Sequence, residues 1–321
     1  GAMEGVITGK DHMKGQFKMS NFDSEILTQF FDDKRLKLSG IIFGEIQIST
    51  AKNNFDLDLD ITLKKGKYMD EPFDEMILSC FYNNGVLHLD NISMTREGSL
   101  GINASGIVPT GKNNKNNIAI ALESNFYNMP LKFVHRFMPE FYKIDGLATG
   151  TVYLSGSPKK TKFSYNIKVE EALFDLIKLG NVFSKGKYDG SKLNVDLAEA
   201  KLKDGFVTSS GVIPFDFNIG SENFGTLYKQ DSIDLRSIAK LRNLFFLSPY
   251  LSDLDSASGD FIIKLNLNGK AGSIVRSGNM NIKDGKIHTL LVSDPIYSIN
   301  GIAEMKNNQL DIQNIKAILY H

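Results

Sequence analysis

The sequence predicts a mainly-β protein: an elongated, strongly curved antiparallel β-groove built from repeats of about 105–110 residues, each with one short helix. Three observations predict it. Apolar and polar residues alternate strictly along several stretches. Glycines and Asx-Gly pairs recur at a fixed spacing. Helical stretches are few and short.

The alternation is sharpest from Phe55 to Leu63, FDLDLDITL. Phe55, Leu57, Leu59, Ile61 and Leu63 occupy every second position, between Asp56, Asp58, Asp60 and Thr62. A period of two is the mark of a strand with one dry and one wet face. Phe163, Tyr165, Ile167 and Val169 repeat the device, as do Phe261, Ile263, Leu265 and Leu267, with Ile262 breaking the polar side. Met280 and Ile282, and Leu310 and Ile312, continue it near the end of the chain. These seventeen apolar side chains are the candidate lining of the groove.

Gly1-Ala2-Met3 has the form of a protease scar left by an expression tag. Residues 4–19, punctuated by Gly5, Gly9 and Gly15, read as one or two strands closing a preceding repeat. The first full repeat, residues 20–125, opens with a helix capped by Ser20 or Asp23, with Phe22, Ile26, Leu27, Phe30 and Phe31 on one face. Strands follow at Glu45–Ser49, Phe55–Leu63, Met76–Tyr82, Val86–Ile92, Leu100–Ala104 and Ile118–Leu122, separated by turn signals at Lys65-Gly66 and Asn83-Asn84-Gly85. The second repeat, residues 126–231, opens with a helix from Asn128 and Pro130 carrying Leu131, Val134, Phe137 and Met138, ended by Pro139. Its strands are Gly150–Leu154, Phe163–Val169, Leu193–Leu197, Lys201–Leu202 and Phe206–Val212, with a loop over Gly180–Tyr188 and turns at Asp189-Gly190 and Asp204-Gly205. The third, residues 232–321, is read as truncated. Its helix carries Leu235, Ile238, Ala239, Leu241, Leu244 and Phe245, and its strands are Phe261–Leu267, Asn279–Ile282, Ile296–Glu304 and Leu310–Ile315, with turns at Asp284-Gly285 and Asn307-Asn308.

The repeats superpose. Gly44, Gly150 and Gly259 each open a strand, at intervals of 150 − 44 = 106 and 259 − 150 = 109. Gly106-Ile-Val-Pro109 and Gly211-Val-Ile-Pro214 are 105 apart. Pro139-Glu-Phe-Tyr-Lys-Ile-Asp145 aligns with Pro249-Tyr-Leu-Ser-Asp-Leu-Asp255, and Leu38 stands where Ile144 and Leu254 do. Units of this kind stack into one quasi-one-dimensional body rather than independent domains. One-sided antiparallel strands must hide their apolar faces against a second sheet, helices or a non-protein ligand. Three short helices cover little, which leaves a lined groove.

Helix exits of the form Pro-x-apolar-x-x-apolar-Asp, then Gly-x-apolar-x-apolar, an alternating strand, an Asp-Gly hairpin and a Gly-apolar-apolar-Pro return together resemble the periplasmic domains of the TamB family, within the AsmA-like group of bridge-like lipid transfer proteins. The resemblance runs from about Ser20 to the end. It implies a β-taco or half-pipe fold and phospholipid as the cargo carried between inner and outer membranes. It also implies a location in the periplasm of a diderm bacterium, an inner-membrane anchor upstream, and a TamA- or BamA-like β-barrel assembly partner met through a region C-terminal to this one. The alternative function is a scaffold for β-barrel assembly by strand augmentation. A repetitive adhesin or carbohydrate binder is a third reading, disfavoured by the absence of tryptophan.

Composition narrows the rest. Thirty-seven basic and 37 acidic residues give no net charge, so no basic stripe for nucleic acid is expected. Cys80 is the single cysteine, so no internal disulfide is possible; its place in an alternating segment reads as a small core hydrophobe. His12, His88, His135, His288 and His321 form no metal-binding spacing, and no nucleophile elbow or phosphate-binding loop is present. Asp56, Asp58 and Asp60 read as a solvated face rather than a calcium loop. No apolar run approaches the ~20 residues of a spanning helix. Neither an enzyme nor a cofactor is expected.

Overall fold

The computed structural model describes residues 1–9, 12–24, 38–51, 54–68, 71–96, 100–110, 118–132, 134, 143–244, 253–270, 272–290 and 294–319. They form eighteen β-strands. In order these are β1 (Ala2–Thr8), β2 (Lys14–Asp23), β3 (Leu38–Ala51), β4 (Asn54–Tyr68), β5 (Glu71–Asn83), β6 (Val86–Arg96), β7 (Leu100–Pro109), β8 (Ile120–Pro130) and β9 (Ile144–Ser157). Then come β10 (Lys160–Phe174), β11 (Ile177–Tyr188), β12 (Leu193–Leu202), β13 (Gly205–Ile213), β14 (Ser232–Asn243), β15 (Leu254–Lys270), β16 (Val275–Thr289), β17 (Ile296–Lys306) and β18 (Gln309–Leu319). The expected mainly-β, antiparallel class is what the chain adopts.

The chain divides into two compact units: residues 1–129 with 148–163, and residues 130–147 with 164–321. In the first, β1 to β8 form an antiparallel meander, each strand paired with the next in sequence. In the second, β11 to β18 do the same. Consecutive pairing makes register a local property, fixed strand pair by strand pair.

The expected helix per repeat is not what forms. The third is a strand: Ser232–Asn243 is β14, paired with β13 and β15. Its Ile233, Leu235, Ala239 and Leu241 fall at even spacing on one face, and that period of two prevails over the helical reading, which leaned on the exposed Ile238. For the first, Ser20, Phe22 and Asp23 end β2, while Ile26, Leu27, Phe30 and Phe31 lie outside the described residues. For the second, Asn128 and Pro130 end β8, Leu131 and Val134 close one turn with the Val134 N–H 2.8 Å from the Leu131 carbonyl, and Phe137 and Met138 lie outside the described residues.

Three turn or loop assignments also change. Lys65-Gly66 and Asp284-Gly285 lie inside β4 and β16, and Gly180–Tyr188 belongs to β11. The Asx-Gly rule fails at Asp284-Gly285 because a positive-φ residue serves a bulge as well as it serves a hairpin. Asp284 has φ 50° and Gly285 stands against Gly259 of β15, itself at φ 135°. The same device holds Gly66 against Gly40, and Ala172 against Gly146. In each case the residue before the first-named member, Lys65 or Glu171, is left-handed. Each bulge adds local twist and bend to its hairpin.

Candidate functional site

Register converts the alternation of single strands into rows that run across them. In the first unit one row reads Gly5, Phe17, Ile46, Leu59, Cys80, Leu89, Gly106, Leu122, one residue from each of β1 to β8. Two residues along the strands, a second reads Met3, Met19, Gly44, Ile61, Leu78, Ile92, Ala104, Ser124. Flanking rows are Ile7, Gly15, Ile48, Leu57, Tyr82, Leu87, Val108 and Phe22, Ile42, Leu63, Met76, Met94, Ile102, Phe126. Four neighbouring rows are therefore almost wholly apolar. The opposite face carries Lys18, Glu45, Asp60, Ser79 and Asn91 in one such row, laced by the Lys18–Glu45 ion pair and by Gln16 and Gln47 amides donating to Glu45.

The apolar face is graded. Along β4, Phe55 is 45% exposed, Leu57 and Leu59 are half-buried, and Ile61 and Leu63 are 8% and 3% exposed. Ile42, Met94, Phe73 and Phe126 are buried at the same closed end. The face is thus sealed at one side and accessible at the other, where the Phe55 ring lies 5.9 Å from that of Tyr82. Cys80 is buried in the middle of its row, between Leu59 and Leu89. Burial, and then the nearby Asp58 and Asp90 carboxylates, push its thiol above the ordinary value.

The second unit builds the same surface. Val182, Ala200, Val207, Ala239, Ile263, Met280, Ala303 and Ile312 stand directly opposite one another across β11 to β18. A neighbouring row holds Leu202, Gly205, Leu241, Phe261, Ile282 and Gly301. Phe261 is 1% exposed, whereas Ile263, Leu265 and Leu267 are half-buried. Leu265 faces Ser237 and Gly278, and Leu267 faces Leu235 and Arg276, so the apolar character fades toward the Lys270 end of β15. Leu310 and Ile312 on β18 are 56% and 60% exposed. Tyr165, Ile167 and Val169 are half-buried in this unit, with the Tyr165 hydroxyl 3.2 Å from Ser184 Oγ; Phe163 is half-buried in the first unit.

The seventeen expected lining residues therefore fall into separate sets. Those on β4 share one face in the first unit. Those on β15, β16 and β18 share another in the second, where Ile263, Met280 and Ile312 occupy a single row and Phe261 and Ile282 its neighbour. Sequence reasoning placed lining residues on five of the eighteen described strands and missed the partners that complete each row, such as Ile46 and Ile48 on β3. Glu45–Ser49 alternates visibly, but only register says which of its neighbours it meets.

A compact plug ends the apolar face near β11. Phe215, Asp216, Phe217 and Asn218 are buried in the connection between β13 and β14. The Phe217 N–H and the Asn218 amide donate to the Tyr188 hydroxyl at 3.1 and 3.2 Å, and Phe217 packs edge-on against the Tyr188 ring. Asp216 accepts from the Asn218 N–H at 3.0 Å and the Ser221 hydroxyl at 2.5 Å. Burial pushes its carboxyl up, but the hydrogen bonds from Ser221, Asn218 and Tyr228 more than offset this and hold it below the ordinary value. Tyr228 is pushed up to about 12, by burial first and then by its hydrogen bond to the Asp216 carboxylate.

Hollows of about 570 and 600 Å³ in the first unit and about 580 Å³ in the second lie mainly on the polar faces, rimmed by groups such as Glu45, Asp60, Lys240 and Arg242. Among the described residues, no three His, Cys, Asp or Glu side chains are placed to hold a metal ion. No family model, no curated protein and no solved structure matches this chain.

Proposed function

We propose that this chain is a segment of a periplasm-spanning protein of the TamB-like kind, whose apolar β-face carries phospholipid acyl chains between the inner and outer membranes in support of outer-membrane biogenesis. One observation carries this reading: four adjacent rows of the first unit are apolar across seven or eight strands, yet the middle of the face is half-buried rather than sealed. A row of Phe, Leu and Ile side chains can accept an acyl chain at about 0.8 kcal/mol for each CH₂ removed from water. The head group stays in solvent at the open Phe55 side. A face of uniform character holds no deep well, so cargo slides along it, and direction is supplied by partners such as an outer-membrane β-barrel assembly protein.

The test is extraction of the purified protein for lipid mass spectrometry, beside a Leu59→Asp variant checked for intact strand content by circular dichroism. Near-stoichiometric phospholipid in the parent, lost from a folded variant, is the expected result. A folded parent without lipid overturns the proposal. The second reading, strand augmentation of outer-membrane barrel proteins, is favoured by the exposed apolar side chains of β18 and would then take its place.

A further inference from the structure

A polar row crosses β11 to β14 inside the apolar face of the second unit. Two residues along the strands from Val182, Ala200, Val207 and Ala239 stand Ser184, Ala198, Ser209 and Ser237, each opposite the next. Side chains two residues apart on a strand share a face, so the three serines lie on the apolar side. On their other flank Val195 faces Gly211, and Gly211 faces Leu235. The hydroxyls are joined in pairs. Ser209 Oγ lies 2.8 Å from Ser237 Oγ, and the Tyr165 hydroxyl lies 3.2 Å from Ser184 Oγ. Gly186 makes room for the second pair, since a Cβ there would come 2.9 Å from the Tyr165 hydroxyl oxygen. Tyr165 and the three serines are half-buried.

The fold does not demand these hydroxyls. The repeat that sets Gly106 beside Gly211 also sets Ala104 beside Ser209. Register extends the match: Leu78, Ile92, Ala104 and Ser124 stand in the first unit where Ser184, Ala198, Ser209 and Ser237 stand in the second. One hydroxyl among these four places has become three. Ser209 and Ser237 carry two hydroxyl hydrogens and share one between them, which leaves the other to donate. A hydrocarbon chain laid over it would strip its water and return nothing, whereas an oxygen would satisfy it. No cation stands in the row to call for a carboxylate or phosphate there. Arg276 is on the same face in the flanking row, opposite Leu267 and exposed. Across the face the order is therefore apolar row, hydroxyl row, cation, with about 7 Å between neighbouring rows. That is the order of chain, ester and phosphate in a diacyl phospholipid.

Resting on the reading of this face as a lipid path, we infer that Ser209 and Ser237 bind an ester carbonyl oxygen of a diacyl phospholipid, with its chain on the Val207 row and its phosphate toward Arg276. The apolar rows of the first unit are uniform, but here the cargo has a station and an orientation.

The test compares a diester phosphatidylcholine with its diether counterpart, which keeps the chains and head group but has no carbonyl. Each carries a diazirine near the head of one chain and is offered to the full chain from vesicles. After illumination, labelled peptides are read by mass spectrometry. The diester is expected to label β13 and β14 about 5-fold more than the diether, the worth of one neutral hydrogen bond, while both label β3 to β7 equally. The preference is expected to vanish in Ser209→Ala/Ser237→Ala and to remain in Ser209→Thr/Ser237→Thr, which keeps both hydroxyls. Equal labelling of β13 and β14 by the two lipids in the parent, with the first unit labelled, overturns the inference and leaves the lipid path standing. This comparison needs no variant, so it decides even where the alanine protein does not fold. A preference that survives in a folded alanine variant also overturns the inference. A folded parent labelled nowhere by either lipid overturns both the station and the path.

Discussion

Gly106 has φ 142°, and a Cβ built on it would lie 2.0 Å from the Ala121 carbonyl oxygen. Gly211 repeats both features, with φ 143° and the Asp234 oxygen at 2.0 Å. Gly106→Ala must therefore both adopt a left-handed conformation and push β8 away. It is expected to cost about 2–3 kcal/mol, read as a lower urea midpoint for the first unit. The Asp216 cluster gives a residue-scale prediction in pH. Because Tyr228 titrates near 12 in the folded chain, above its unfolded value, its contribution to stability is full below about pH 10 and disappears as pH rises through 12. Absorbance at 295 nm should show a tyrosine titrating near pH 12, brought earlier by Asp216→Asn. Asp216 works in the opposite sense: its lowered value stabilises fully above the ordinary carboxylate value, and this is lost as pH falls below that value and through the lowered one. The sequence misleads at this cluster. Phe215-Asp-Phe-Asn-Ile219 alternates like a strand with one wet face, yet Asp216 and Asn218 are buried beside the two rings because each finds a partner in the plug or on Tyr188.

Strands such as β4 and β15 were legible because one face is wet and the other dry, and the period of two follows from that division alone. β14 was not. Its apolar residues satisfy a helical spacing as well as an alternating one, and nothing local decides between them. The decision comes from β13 and β15, whose free edges need a partner on each side. Bulges were misread as turns for a related reason: a left-handed residue marks a change of direction without saying how large. The grading of the rows sets up a contrast between elements. Phe261→Ala on β15 removes a ring that is 1% exposed and is expected to cost about 3–5 kcal/mol. Leu310→Ala on β18 should stay within about 0.5 kcal/mol in the isolated chain. Thermal melts of both variants check it, and comparable losses would mean that β18 is as much a part of the core as β15.

At the scale of the molecule, the mainly-β antiparallel class was the most legible feature and the helices the least. Alternation along a strand is a property of the chain itself, whereas what covers an apolar face depends on residues far away in sequence. The apolar residues named on β4 and β15 stand between these cases: their side of the strand was readable, their neighbours across the sheet were not. The three bulges bear on how such a chain changes length. Gly40 and Gly146 occupy the same place in the same kind of strand, preceded by Leu38-Ser39 and Ile144-Asp145. Joining Ser39 to Gly146 would excise 146 − 40 = 106 residues and leave 321 − 106 = 215, with every hairpin whole and every bulge facing a partner of its own kind. The shortened chain is expected to fold with unchanged strand content per residue by circular dichroism, while an excision displaced by one residue turns the following face inside out and fails. A protein punctuated in this way can be edited by the sentence but not by the letter.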